Sequence, residues 1–291
     1  MNYYIKNPKD NNNVVELWSS KRLPFEPKGW LYDMRETLRI AISQLVVYNG
    51  NILSATYTSP IEELCDVENI LFYNVGTGRF KTTCLNGFLL ERSFTAVPPP
   101  PDKLDFYLHY QRYASISQNQ PPQHWTIKNV LASWDNVVIP KLTSDTKPHI
   151  FWHLLKENPV SIFTGDTYEK HFGVEVDLFV SRNNIFNSAA IIKPMLDGII
   201  SAFHSYQGGQ LSEVSKRLAV TLPSNSNHIS NLLMDNSLSV LGSRRLLYPY
   251  QNNVQWNPAD DKCVVIKLVC TYLANNAPLR MNGKLFAVTS K

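Results

Sequence analysis

Two short acidic stretches hold the residues best suited to chemistry. NPADDKC (257–263) sets Asp260 beside Asp261 at the mouth of the apolar run VVIKLVC (264–270), and DVEN (66–69) places Asp66 and Glu68 two positions apart, followed by Asn69. Carboxylates are hard oxygen ligands. Several of them converging would suit Mg²⁺, which prefers oxygen in octahedral array and serves phosphodiester chemistry. If 66–68 were extended, positions i and i+2 would face one side, and both acids could reach one cation. Each stretch also has a quieter reading. Asn257-Pro258 starts a turn, and an Asp there can bond backbone N–H groups further on. Asp260 or Asp261 could pair with Arg244 or Arg245, and Asp66 and Glu68 could cap a helix or line a surface.

A third stretch, KPMLDG (193–198), puts Lys193 and Asp197 four apart, one helical turn. The order of strand 173–183, loop, helix opening at Lys193-Pro194, Asp197, long loop, and Asp-Asp before a strand resembles that of the RusA-like Holliday-junction resolvases over about residues 173–270. That family carries an Asp-x-Asp-Asn-x-x-Lys run at the head of a helix, a further Asp one turn on, and an Asp-Asp pair before a strand with a Lys. Lys193 and Asp197 match the helical part; Asp260, Asp261 and Lys267 match the last part. The resemblance implies catalytic roles for Asp260, Asp261, Lys193 and Asp197. The positions of the family's first two acids hold Asn187 and Ala189, which implies a degenerate nuclease half. DVEN looks like the missing run displaced to the front of the chain, with Phe72 where the family has Lys. A composite cation site would then join Asp66, Glu68, Asp260 and Asp261. No resident cofactor is otherwise called for, and Mg²⁺ is the cation such acids would take.

Other chemistries lack their signatures. No Gly-x-Ser-x-Gly elbow, phosphate-binding Walker loop or dinucleotide fingerprint occurs. His149 and His153 are four apart, but HIFWH lacks the Glu of the metalloprotease motif. The four cysteines form no CxxC pair, and reduced thiols fit a cytoplasmic protein. No apolar run reaches the roughly 20 residues needed to cross a bilayer, so no membrane partner is expected. The net charge of +4 admits a polyanion without demanding one. Candidate nucleic-acid contacts are the dibasic pairs Lys216-Arg217 and Arg244-Arg245, with Tyr248 in the loop that follows. FYLHYQRY (106–113) could offer Tyr107, His109, Gln111 and Tyr113 as an exposed stacking face. These features favour a nucleic-acid-associated protein. The alternatives are a non-catalytic structural or interaction subunit, acting with a protein partner or as a homo-oligomer, and an active Mg²⁺-dependent nuclease.

The elements that must position these groups read as an α+β fold: mixed or antiparallel sheets with packed helices, in one chain of 291 residues, 44% hydrophobic and 18% charged. Helices are expected within 29–48, where Leu31, Met34, Leu38, Ile42 and Leu45 share a face, at 191–208 with Pro194 in the first turn, and within 210–243, while 148–158 reads as a helix or a buried strand. Residues 52–59, 105–115, 173–183, 263–274 and 283–290 read as strands, 78–97 as a hairpin turning at Asn86-Gly87, and 125–142 as a helix ending in a short strand. The first half of 61–76 reads as helix and ILFYNV as strand. Four consecutive prolines in VPPPPDK (97–103) suggest a connection between an N-terminal subdomain (1–97) and a C-terminal one (104–291) holding the RusA-like half.

Overall fold

The computed structural model describes residues 1–100, 106–143, 145–163, 170–183, 186–274 and 276–291. In chain order its elements are β1 (Tyr3–Lys6), β2 (Val14–Ser19), α1 (Trp30–Ser43), β3 (Asn51–Thr58), β4 (Gly87–Ser93), β5 (His109–Ser117), β6 (Trp125–Val138), α2 (Pro148–Glu157), β7 (Val160–Ile162), β8 (Phe172–Ser181), α3 (Ser188–Ala202), β9 (Ser205–Tyr206), α4 (Leu211–Thr221), α5 (Ser226–Met234), β10 (Ser243–Arg244), β11 (Leu247–Tyr250), β12 (Asn253–Trp256), β13 (Cys263–Leu273) and β14 (Arg280–Ser290). Ten strands form one sheet in the order β1-β2-β5-β3-β4-β13-β8-β14-β6-β7. Its pairs are antiparallel except β3–β4 and β8–β13. The fold is α+β.

Apolar side chains from all five α-helices pack with the strands into one large core. A second, smaller cluster contains only strand residues, among them Leu89, Trp125 and Phe286. The strand alternation in GVEVDLFVS is honoured: Val174, Val176, Leu178 and Val180 are buried in the main core.

Several expectations change. β5 lies between β2 and β3, so the sheet continues across the proline stretch and the expected division near 97–103 coincides with no break in it. Pro98 lies against β2, its carbonyl accepting from Trp18 Nε1 at 2.9 Å; residues 101–103 lie outside the described residues. Because β5 is an interior strand, His109, Gln111 and Tyr113 are buried, and the expected stacking platform is not exposed. Residues 125–138 are a single strand, since long-range pairing with β14 overrides a pattern that also fits a helix. Residues 78–97 form no hairpin: a 3₁₀ turn (Thr77–Phe80) and a tight bend lead into β4 alone. Gly87 has φ +111°, and a Cβ there would fall 1.9 Å from the Leu268 carbonyl oxygen, so only glycine fits where β4 meets β13.

Candidate metal centre

The two parallel pairs need crossover connections, because parallel strands cannot be joined by a tight turn. One crossover, between β3 and β4, carries Asp66 and Glu68. The other, between β8 and β13, carries α3 and the Asp260 turn. β4 and β13 are neighbours, so the two crossovers meet above the centre of the sheet.

Asp66 stands just ahead of a short helical segment, and Glu68 lies in its first turn; the segment continues as a π-helix over Asn69–Tyr73. Residues 66–68 are therefore not a strand, as the same-face argument supposed, and the two acids converge by a different route. Asn69 Nδ2 donates to Asp66 Oδ2 at 2.6 Å and fixes that carboxylate. Lys193 and Asp197 project from α3. Pro194 is inside this helix, not in its first turn. It has no N–H to give the Ala190 carbonyl one turn earlier, and Tyr73 Oη donates to that carbonyl instead, at 2.8 Å. Ser188 Oγ donates to the Cys84 carbonyl at 2.8 Å and Asn187 Nδ2 to the Thr77 carbonyl at 3.1 Å, so the start of α3 is sewn to the first crossover. Asn187 and buried Ala189 are thus structural here. Asp260 opens a 3₁₀ turn (Asp260–Lys262) that leads into β13.

These segments bring four carboxylates onto one ammonium. Lys193 Nζ is 3.0 Å from Asp66 Oδ2, 3.0 Å from Asp197 Oδ1 and 3.2 Å from Glu68 Oε1, and it also contacts Asp260 Oδ2. An ammonium has three N–H donors and cannot satisfy four acids. The shortfall falls on Glu68, whose side chain is only 1% exposed. Neither of its oxygens accepts a hydrogen bond among the described residues, nor does Asp197 Oδ1. With all groups ionised, four negative charges face one positive charge.

Burial works against the charged carboxylates and pushes Glu68 up to about 8 and Asp197 up to about 7, with the neighbouring acids adding to the shift and Lys193 opposing it. Burial raises Asp66 as well. Desolvation also disfavours the Lys193 ammonium, but the surrounding carboxylates, Glu68 foremost, outweigh it and hold its pKa above the ordinary value.

Ligand oxygens of Asp66, Glu68 and Asp260 lie within 4.8 Å of one another, around the Lys193 ammonium; a hard cation held by all three would need that ammonium to swing aside. The unbonded, buried oxygens of Glu68 and the excess of acids over donors fit a hard divalent cation. The cluster opens into a cleft of about 630 Å³ that Leu64, Arg244, Trp256 and Asp261 also line.

Not every expected residue joins. Asp261 points to Arg244 at 4.0 Å and is not part of the ligand set. Lys267 is engaged by Glu175 at 3.5 Å. Arg244 is at the mouth of the acidic cleft. Arg245 lies over the Tyr248 ring at 5.2 Å and lines a separate cleft with Tyr206 and Gly208. Arg217 is bonded to Glu213 and to backbone carbonyls, and Lys216 is exposed on α4. The expected nucleic-acid residues therefore do not form one patch. His149 and His153 share a turn of α2, both held neutral by burial, with no third ligand gathered around them among the described residues. Of the residues around the cluster, Tyr73 carries no signal in the sequence, whereas Asn69 is the fourth residue of DVEN, and Gln255 and Trp256 fall in the basic, aromatic and amide-rich stretch RRLLYPYQNNVQW (244–256). No family model matches this chain, nor does a curated protein or a solved structure.

Proposed function

We propose that the protein is a divalent-cation-dependent nuclease, with Asp66, Glu68 and Asp260 as cation ligands. The observation that carries this reading is the convergence of four carboxylates from three segments on Lys193, with Glu68 buried and neither of its oxygens accepting a hydrogen bond among the described residues. Buried carboxylates that outnumber the cations and donors around them are costly to a fold, and such an arrangement belongs to a working site more than to a structural one. A bound Mg²⁺ would supply Lewis acidity toward a phosphoryl oxygen and a more acidic water. Asp197 positions Lys193 from one helical turn away. The Lys193 ammonium places positive charge beside the phosphate, where negative charge develops in the transition state. Arg244 at the cleft mouth can hold an adjoining phosphate, with Asp261 orienting its guanidinium. The resemblance to RusA-like resolvases supports a phosphodiester substrate: DVEN, which has Glu68 where that family's run has its second Asp, supplies Asp66 and Glu68 to the cluster, and Lys193, Asp197 and Asp260 come from the other two segments. Free thiols at all four cysteines suit a cytoplasmic setting. Among the described residues no helix is long and apolar enough to cross a membrane.

The test is cleavage of labelled branched, duplex and single-stranded DNA and RNA with Mg²⁺ or Mn²⁺. Activity should appear with the cation, vanish with EDTA, and fall at least a hundredfold in Asp260→Asn and Asp66→Asn with folding retained. Cleavage that survives both substitutions, or no cleavage of any substrate, contradicts the proposal; the latter outcome with a stable protein partner would favour the interaction-subunit reading.

A further inference from the structure

Trp256, the last residue of β12, lines the acidic cleft and also a second cleft of about 470 Å³. The two differ in charge. Asp66, Asp197, Asp260 and Asp261 line the first, whereas no acid is among the lining residues of the second, which carries Lys147, Arg217, Val220 and the amides Asn252 and Asn253. Arg217 is held beside it by Glu213 at 2.7 Å and by the carbonyls of Gln251 and Asn253 at 2.6 and 2.8 Å. Lys147 is exposed and forms no ion pair among the described residues. Val220, also on the wall of this cleft, is 85% exposed. Lys147 also precedes α2, whose first turn holds no acid, so the positive end of that helix adds to the same field. Trp256 is half-buried, with one side braced by Trp152 at a centroid distance of 6.0 Å.

We infer that this second cleft seats nucleotides flanking the cleaved phosphodiester, with a base against Trp256 and Val220 and neighbouring phosphates on Lys147 and Arg217. The inference rests on reading the acid cluster as a nuclease centre, and it adds a route for the strand leaving that centre. A polynucleotide alternates flat apolar faces with anions, and proteins hold single strands by pairing aromatic platforms with cations. The second cleft supplies both. It shares a wall with the acid cluster, so one strand can occupy both at once.

Fluorescence anisotropy with a labelled DNA strand, and an RNA strand of the same sequence, tests this with Ca²⁺ in place of Mg²⁺. Lys147→Glu should weaken binding about tenfold and flatten the slope of log affinity against log salt by about one. Trp256→Ala should weaken binding by about tenfold, and Trp256→Phe should recover most of it. The tighter-bound strand identifies the sugar. Because Trp256 also packs on Trp152, exposed Lys147 decides the matter if Trp256→Ala fails to fold. Wild-type affinity in folded Lys147→Glu, or no binding of either strand by the wild-type protein, overturns the inference. Weakened binding in these variants with no cleavage by any form would sink the nuclease reading and leave the cleft standing. Cleavage by the wild type with affinity untouched in the variants would do the reverse.

Discussion

Lys193 and Glu68 hold the tension of the site between them. Glu68 and Asp197 have pKa values raised above the unfolded ones, so the folded state binds protons that the unfolded state releases. Their contribution turns unfavourable as pH rises through the ordinary carboxylate range toward about 8. Glu68→Gln removes the buried charge and should raise Tm at pH 8 by roughly 5 °C, measured by differential scanning calorimetry without divalent cations, while losing cation binding. Lys193→Met leaves four acids facing one another. It should cost about 3–5 kcal/mol at pH 8, with part of the loss restored by Mg²⁺ or by lowering the pH, read from urea unfolding. At this scale much was legible. Asp66, Glu68 and Asp260 could be paired on paper because acids two apart and acids before a strand are visible as types. That Lys193 sits between them was not, because contact between residues so far apart in the chain depends on which crossovers meet. Asp261 shows the limit: adjacency to Asp260 says nothing about which way it turns, and Arg244 takes it.

The elements place these residues through close packing of α3. Gly198, one residue beyond Asp197, faces α2, where an added Cβ would fall 2.3 Å from the Pro148 carbonyl oxygen and 2.8 Å from Phe151 Cβ. Gly198→Ala should therefore push α3 from α2, destabilising the fold by about 1–3 kcal/mol and displacing Lys193 and Asp197, so that thermal stability and cation affinity fall together. Helix faces such as that of Met34, Leu38 and Ile42 were readable from three- and four-residue spacing, and those residues are buried. β6 was not, since WTIKNVLASWDNVV satisfies a helical period nearly as well as an alternating one. Pairing with β14 along most of its length, and with β7 on its other side, decides between them. Pro194 misled for a related reason: proline marks a first turn when nothing else can take the orphaned carbonyl, and here Tyr73 does.

Across the whole molecule, the sheet order makes the site a property of the complete chain. β5 fills the space between β2 and β3, and β13 and β4 pair where the crossovers meet. A fragment ending at residue 97 would expose the edges of β2 and β3 and hold Asp66 and Glu68 without Lys193 or Asp260. It should remain unfolded by circular dichroism, whereas the intact chain should unfold in one cooperative transition. The proline run suggested a boundary because composition shows where regular structure stops, but not whether the chain returns to the same sheet. The central claim is that Asp66, Glu68 and Asp260 bind one divalent cation. Titration of Mn²⁺ followed by its electron paramagnetic resonance signal tests it most directly. The wild-type protein should take up Mn²⁺ saturably, more tightly as pH rises from 6 toward 8.5, and Glu68→Gln and Asp260→Asn should lose that uptake while staying folded. Equal Mn²⁺ binding by wild type and both variants would contradict it.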